Sequence, residues 1–279
     1  KRGDHIAFVL ENRAEAFVVA WAAQRAGLYY TACSTRLGVD ELTYIVTDCE
    51  ARVLVASAET LPVAGEVVAP AVELRLTVDG PTEGWDALDA AVAAFPDTPI
   101  DDQSEGADML YSSGTTGRPK GVKAAMPEGE FPEMSAVGAL AGMLLGADEG
   151  TVYLSPAPIY HAAPLRFCMA IHRYGGTVVV MEHFDPERFL ALVERIIRAG
   201  LAGRSGTLPP RQAAALLVDA AAGKEVVVEN VGAVVRIDDG GLERGLRAAH
   251  VEAAFDRNVE AVVVGQPLFV EGGVGEKDR

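Results

Sequence analysis

Short apolar runs alternate with stretches that carry apolar residues on one helical face through the first part of the chain. Residues 6–10 (IAFVL) form an uninterrupted apolar run, as expected of a strand buried on both faces. Residues 14–26 place Phe17, Trp21 and neighbouring alanines on one face of a helix, and Gly27 follows as its C-terminal cap. Strand character returns over 28–32, a helical pattern over 40–47 and a strand over 52–56 (RVLVA). Residues 74–78 predict a strand and 85–95 a helix. An acidic loop over 96–106 leads to a strand at 107–111. Strands are predicted again at 151–154 and 177–181 (TVVVM), separated by a helix over 163–174 and a Gly175-Gly176 turn. Asp185 and Pro186 read as N-cap and first residue of a helix reaching to about residue 199. The stretch 61–70, rich in Val, Pro and Gly, fits no template.

This β-α-β-α-β rhythm implies parallel strands joined by helical crossovers, so the predicted fold class is α/β with a layered parallel sheet. The pattern weakens after Gly200. There, 209–222 and 246–257 read as helices, and 225–228, 233–237 and 259–265 as strands around turns. The polar, glycine-rich end (271–279) reads as a fraying tail.

The 279 residues are 49% hydrophobic, enough to build a full core in one large domain or a large domain plus a small one. Net charge is −16, from 24 basic and 40 acidic residues, which disfavours nucleic acid and anionic membrane surfaces as partners. An anionic small molecule would have to be held locally, by backbone N–H groups and a few cations. Cys33, Cys49 and Cys168 are too widely spaced for a zinc site and read as buried free thiols. No apolar run is long enough to span a membrane, and no secretory leader opens the chain, so the cytoplasm is the expected location. The opening Lys1-Arg2-Gly3-Asp4 reads as a turn entering a strand, which suggests a start inside a domain. Nothing in the sequence decides for or against a homo-oligomer.

One loop stands apart. Residues 109–123 read MLYSSGTTGRPKGVK: an apolar strand runs into Ser112, Ser113, Gly114, Thr115, Thr116 and Gly117, then Pro119, Lys120 and Gly121. Glycines let backbone N–H groups converge on an anion without Cβ clashes, and the hydroxyls add donors. Lys120 supplies a compact positive charge on a flexible stem, suited to a phosphate. The pattern is neither G-x-x-x-x-G-K-[S/T], because Gly121 follows Lys120, nor G-x-G-x-x-G.

YSSGTTGRPKGV resembles the signature loop of the adenylate-forming superfamily, which includes acyl-CoA synthetases, luciferases and peptide-synthetase adenylation domains. DELTYIVTDCEARVLVAS, YLSPAPIYHAAPL and GGTVVVMEHFDPERFLALVER are similar to further family segments, and the acyl-CoA synthetase branch fits best. The resemblance covers about residues 1–199. It implies a large N-terminal domain with a layered parallel sheet. It also implies a reaction in which ATP and a small carboxylic acid give an acyl-adenylate, whose acyl group passes to coenzyme A. By resemblance, Ser112, Ser113, Gly114, Thr115, Thr116, Gly117 and Lys120 hold the β- and γ-phosphates. Thr115 or Thr116 would touch the Mg2+ shell, with Thr116 the assigned contact. His161, with Tyr160 beside it, matches the family's pocket histidine and would orient the acid or guard its tunnel. Lys120 and His161 are thus the catalytic candidates. His5, His172, His183 and His250 have no paired ligand pattern and read as surface or helix-end residues.

The family's aromatic-Gly-x-Thr-Glu turn, its Thr-Gly-Asp motif, its hinge and its late catalytic lysine are absent. Asp238-Asp239-Gly240-Gly241 reads as a β-turn. The expected domains are therefore 1–200 as a partial nucleotide-binding domain, 201–245 as a compressed or unassigned region, and 246–279 as a small-domain remnant. Two functions follow: an AMP-forming acid–CoA ligase, or a degenerate homologue that binds nucleotide without catalysis. An unrelated phosphate-binding enzyme is disfavoured, since neither a G-x-S-x-G elbow nor a kinase motif set is present.

Overall fold

The computed structural model describes residues 1–96, 98–112, 118–128, 131, 135–202, 228–229, 234–235 and 261–262. The chain begins with strand β1 (His5–Val9), helix α1 (Ala14–Arg25), β2 (Tyr29–Ala32), α2 (Val39–Asp48) and β3 (Ala51–Ala56). A single turn, α3 (Leu61–Ala64), then leads to β4 (Leu74–Thr77), β5 (Asp86–Ala87) and α4 (Leu88–Val92). Next come β6 (Ala107–Ser112), β7 (Lys120–Lys123), α5 (Ala136–Leu145), β8 (Val152–Ser155), α6 (Ala162–Arg173), β9 (Thr177–Val180) and α7 (Pro186–Ala202). Three short strands complete the described chain: β10 (Val228–Glu229), β11 (Val234–Val235) and β12 (Ala261–Val262).

The main sheet runs in the order β5-β4-β3-β1-β2-β6-β7. All neighbours are parallel except β6 and β7. A second sheet has the order β12-β9-β8, with β8 and β9 parallel and β12 antiparallel to β9. Strands β10 and β11 pair as an antiparallel ribbon.

Side-chain alternation builds the layers. On β1, Ile6 and Phe8 enter one core with Phe17 and Ala20 of α1, while Ala7 and Val9 enter another with Leu42, Ile45 and Val46 of α2. The main sheet is thus covered on both faces, as its unbroken apolar strands require. The first core continues through Leu165 and Cys168 of α6 to Tyr153, Val178 and Val180 of the second sheet. The opposite side chains of that sheet, Leu154 and Val179, pack on Phe189, Leu192 and Val193 of α7. The order is α2, sheet, α1 with α6, sheet, α7. Each fully buried Phe or Leu contributes about 1.5–3 kcal/mol to holding these layers together.

The turn between α1 and β2 needs its glycine. Gly27 has φ +66°, and a Cβ there would fall 2.2 Å from Ser104 Oγ. At the start of α7, Asp185 Oδ1 accepts the Arg188 N–H at 2.7 Å, so the Asp185-Pro186 start is confirmed.

Several expectations are corrected. The helix predicted over 85–95 is only α4, because Trp85 is buried and bridged to Thr82 and the next two residues join the sheet as β5. Lys120 to Lys123 form a strand, not loop. His5 is buried, not on the surface; His172 sits at a helix end as expected, in the last turn of α6, but is buried; His183 is exposed as expected. The helices expected over 209–222 and 246–257, the Asp238–Gly241 turn, His250 and the tail lie outside the described residues. No helix among the described residues is long and apolar enough to cross a membrane.

Candidate functional site

The strand order reverses at β1, with β2 on one side and β3 on the other. In open α/β sheets, ligands bind outside the carboxyl ends of the strands at such a switch point. Among the described residues, Ser112 ends β6 and Tyr160 and His161 follow β8, each at the carboxyl end of a parallel strand.

Strand β6 ends at Ser112 and β7 starts at Lys120, and the two residues face each other as the last pair of the antiparallel ladder. Ser113, Gly114, Thr115, Thr116 and Gly117, which join the legs, lie outside the described residues. The ladder brings Ser112 and Lys120 together across the mouth of the loop. The Lys120 side chain is exposed, and its ammonium makes no hydrogen bond or ion pair among the described residues. A free cation on a hairpin fixed by backbone pairing suits a mobile anionic ligand better than a structural role.

Tyr160 and His161 lie between β8 and α6, with His161 as the N-cap residue of α6. Its N–H donates to Pro158 O at 3.2 Å, and its carbonyl accepts the Leu165 N–H at 3.2 Å, so the backbone is fixed. The imidazole does not cap the helix and remains available. Tyr160 packs partly against the core, with its ring centroid 4.6 Å from that of His161. Partial shielding from water, then the Arg36 charge, hold the His161 pKa below its ordinary value. The ring is therefore neutral near pH 7 and can both donate and accept.

Asn12, just past the end of β1, ties this loop to the main sheet. Its Nδ2 donates to Ala157 O at 3.1 Å and to Met181 O at 2.9 Å, while its Oδ1 accepts the Ile159 N–H at 2.9 Å. One amide thereby joins the carboxyl ends of β1, β8 and β9. No hydrogen bond or ion pair among the described residues links Lys120 to His161 directly.

Sequence reasoning missed Asn12 and Arg36. A polar residue directly after a fully buried strand was the available signal for Asn12, but its partners are about 145 to 169 positions away. Arg36 is exposed, and its guanidinium has no hydrogen bond or ion pair among the described residues.

Among the described residues, no three or more His, Cys, Asp or Glu side chains are grouped to hold a metal ion. Thr116, the expected metal contact, lies outside them. Cys33, Cys49 and Cys168 are buried and free, as expected. Burial pushes the Cys49 thiol up to about 11 and the Cys168 thiol up to about 12, so neither acts as a thiolate near pH 7.

A family model described as AMP-binding enzyme matches residues 1–199. The chain is 34% identical over 196 residues to a feruloyl-CoA synthase of an Amycolatopsis species, a match covering 69% of this chain and 37% of that protein. It is 28% identical over 195 residues to a 2-succinylbenzoate–CoA ligase of Bacillus licheniformis, covering 70% of this chain and 38% of the relative. The crystal structure of ATP-bound MatB from Rhodopseudomonas palustris superposes with a TM-score of 0.55 at 26% identity, covering 70% of this chain and 38% of that one. The chain spans well under half the length of these relatives.

Proposed function

The chain belongs to the AMP-binding enzyme family, and on that premise we propose that it carries the phosphate-holding and acid-orienting part of an AMP-forming acid–CoA ligase. The observation that carries this reading is the Ser112–Lys120 pair. It closes a hydroxyl- and glycine-rich loop at the carboxyl end of a parallel sheet, with an uncommitted lysine at its mouth.

In this reading, Ser112 and Lys120, with Ser113 to Gly117 between them, hold the β- and γ-phosphates of ATP. The acid's carboxylate oxygen attacks the α-phosphorus and the bond to pyrophosphate breaks. Lys120 offsets the charge that grows on the departing pyrophosphate. Neutral His161, steadied by Asn12 through the preceding loop, orients the carboxylate, and Tyr160 lines the approach. In the second half-reaction, the sulfur of coenzyme A attacks the acyl carbonyl and AMP departs. Mg2+ would arrive with the nucleotide, as part of the ATP complex, to offset phosphate charge, and Thr116 would be the residue that contributes to holding it.

The acid is a small carboxylic acid, with aromatic acids ahead of fatty acids, because the two relatives above are named for ferulate and 2-succinylbenzoate. The test is acid-dependent exchange of labelled pyrophosphate into ATP, run with ferulate, 2-succinylbenzoate, benzoate and a long-chain fatty acid. Exchange with an aromatic acid supports the reading. Tight ATP binding without exchange for any acid would favour a non-catalytic nucleotide-binding homologue.

A further inference from the structure

Both legs of the hairpin that bears Lys120 rest on one helix. On the first leg, the Tyr111 hydroxyl donates to Asp48 Oδ2 at 2.6 Å. On the second, the Tyr44 hydroxyl donates to Pro119 O at 3.1 Å, and the Arg118 guanidinium lies over the Tyr44 ring, 5.1 Å from its centroid. Tyr44 and Asp48 are four residues apart on α2, so they project from the same face. An open cleft of about 520 Å3 runs along this face, bordered by α2 and Arg118.

The sequence makes room for this arrangement. Gly121 faces Tyr111 across the ladder, and a Cβ on it would lie 2.5 Å from Met109 Cε and 2.9 Å from Tyr111 Cζ. The Tyr111 ring occupies the space that a side chain at 121 would fill. The fully buried α2 residues of the core are Leu42, Ile45 and Val46, while the Tyr44 and Tyr111 rings pack partly against it and their hydroxyls reach past it to Pro119 and Asp48.

We propose that α2 is a clamp: Asp48 through Tyr111, and Tyr44 through Pro119 and Arg118, hold both legs of the hairpin and so position Lys120 for its anion. The positioning half of this statement rests on the phosphate reading above. The clamping half rests on the contacts alone. Tyr44 and Asp48 are positioning residues and touch no ligand themselves.

The test uses the full chain with Tyr44→Phe, which keeps the ring and removes only the hydroxyl, and Asp48→Asn. Two readouts are taken: amide hydrogen exchange of the β6 and β7 ladder, and ATP affinity by calorimetry. Each substitution should speed ladder exchange by about 2- to 10-fold, the range of one net hydrogen bond. ATP should weaken by a similar factor, with the exchange of β1 and β3 amides unchanged. The double variant should exceed either single one. Unchanged ladder exchange in the folded variants would overturn the clamp. Faster exchange with unaltered ATP affinity, in a protein where Lys120→Ala does lose ATP, would overturn the positioning role. If the wild-type chain bound no ATP, the phosphate reading would fail, while the exchange data would still decide for or against the clamp.

Discussion

The amino end of the main sheet and the carboxyl end of β2 and β6 treat their polar groups differently, although past β1 and β4 Arg13 is paired with Glu15 and Asp79. At the amino end, charge is committed. Arg173 at the end of α6 pairs with Glu105 ahead of β6, with side chains only 8% and 4% exposed, and Gln24 donates to the same carboxylate. Asp4 and Glu73 share Arg52. The Lys123 ammonium donates to His5 Nε2 at 3.0 Å and sits over the Tyr29 ring. At the carboxyl end of β2 and β6, by contrast, Arg36, Lys120 and His161 have no hydrogen bond or ion pair from their side chains among the described residues. A chain of net charge −16 has carboxylates to spare. Cations left unpaired beside β2 and β6 are therefore informative: they are available to a ligand, while Arg173, Arg52 and Lys123 hold the fold.

If so, substitutions at the two ends should separate stability from binding. The largest effect belongs to the amino end. Arg173→Ala strands the buried Glu105 charge and should lower the unfolding free energy by about 3–5 kcal/mol in denaturant titration. The ATP affinity of the protein that remains folded should not change.

Next is acid sensitivity at the same end. His172 is buried, accepts the Trp21 indole N–H at 3.1 Å, and burial pushes its pKa down to about 4. The unfolded chain takes up this proton near pH 6.5 and the folded chain only near pH 4. Stability is therefore complete above pH 6.5 and falls through that window by about 3 kcal/mol. His172→Gln should flatten the slope in unfolding measured from pH 7 to 4. Burial, then the Lys123 charge, lower the His5 pKa as well, so its contribution has the same sign.

The carboxyl end should show the converse. Lys120→Ala should leave the unfolding midpoint in place and weaken ATP by about 1.5–3 kcal/mol, the value of a charge-assisted contact. The smallest effect is expected of His161→Ala. It should weaken the acid by about 0.5–1.5 kcal/mol, as one neutral hydrogen bond does, with ATP affinity unchanged.

Much of this contrast was legible in the chain. The β-α-β rhythm through residue 56 was readable because β1, α1, β2, α2 and β3 obey local rules: buried apolar runs, one apolar face, a glycine at the left-handed position 27. Helix α5 was not read. Its sequence, AVGALAGMLL, contains two glycines and no polar face, although Ser135 caps it by accepting the Gly138 N–H at 3.0 Å. Strand β7 was hidden because KGVK is short and mostly exposed, so its pairing with β6 leaves little trace in hydropathy.

The site divides in the same way. The proposed phosphate loop stood out because it is a continuous run of hydroxyl residues and glycines closed by Lys120. Asn12, Tyr44 and Asp48 were invisible because each acts on a segment far away in sequence, and an ordinary Asn, Tyr or Asp carries no local sign of that. Their discovery needed the sheet to bring residues 12 and 159, or 44 and 119, side by side.

The most direct test of the central claim is a crystal structure of the chain with a non-hydrolysable ATP analogue. The account predicts β- and γ-phosphates at the mouth of the β6–β7 hairpin, with Lys120 Nζ within hydrogen-bonding distance of a phosphate oxygen and the Tyr44 and Asp48 contacts retained. An analogue bound elsewhere, with Lys120 still free and facing solvent, would contradict it.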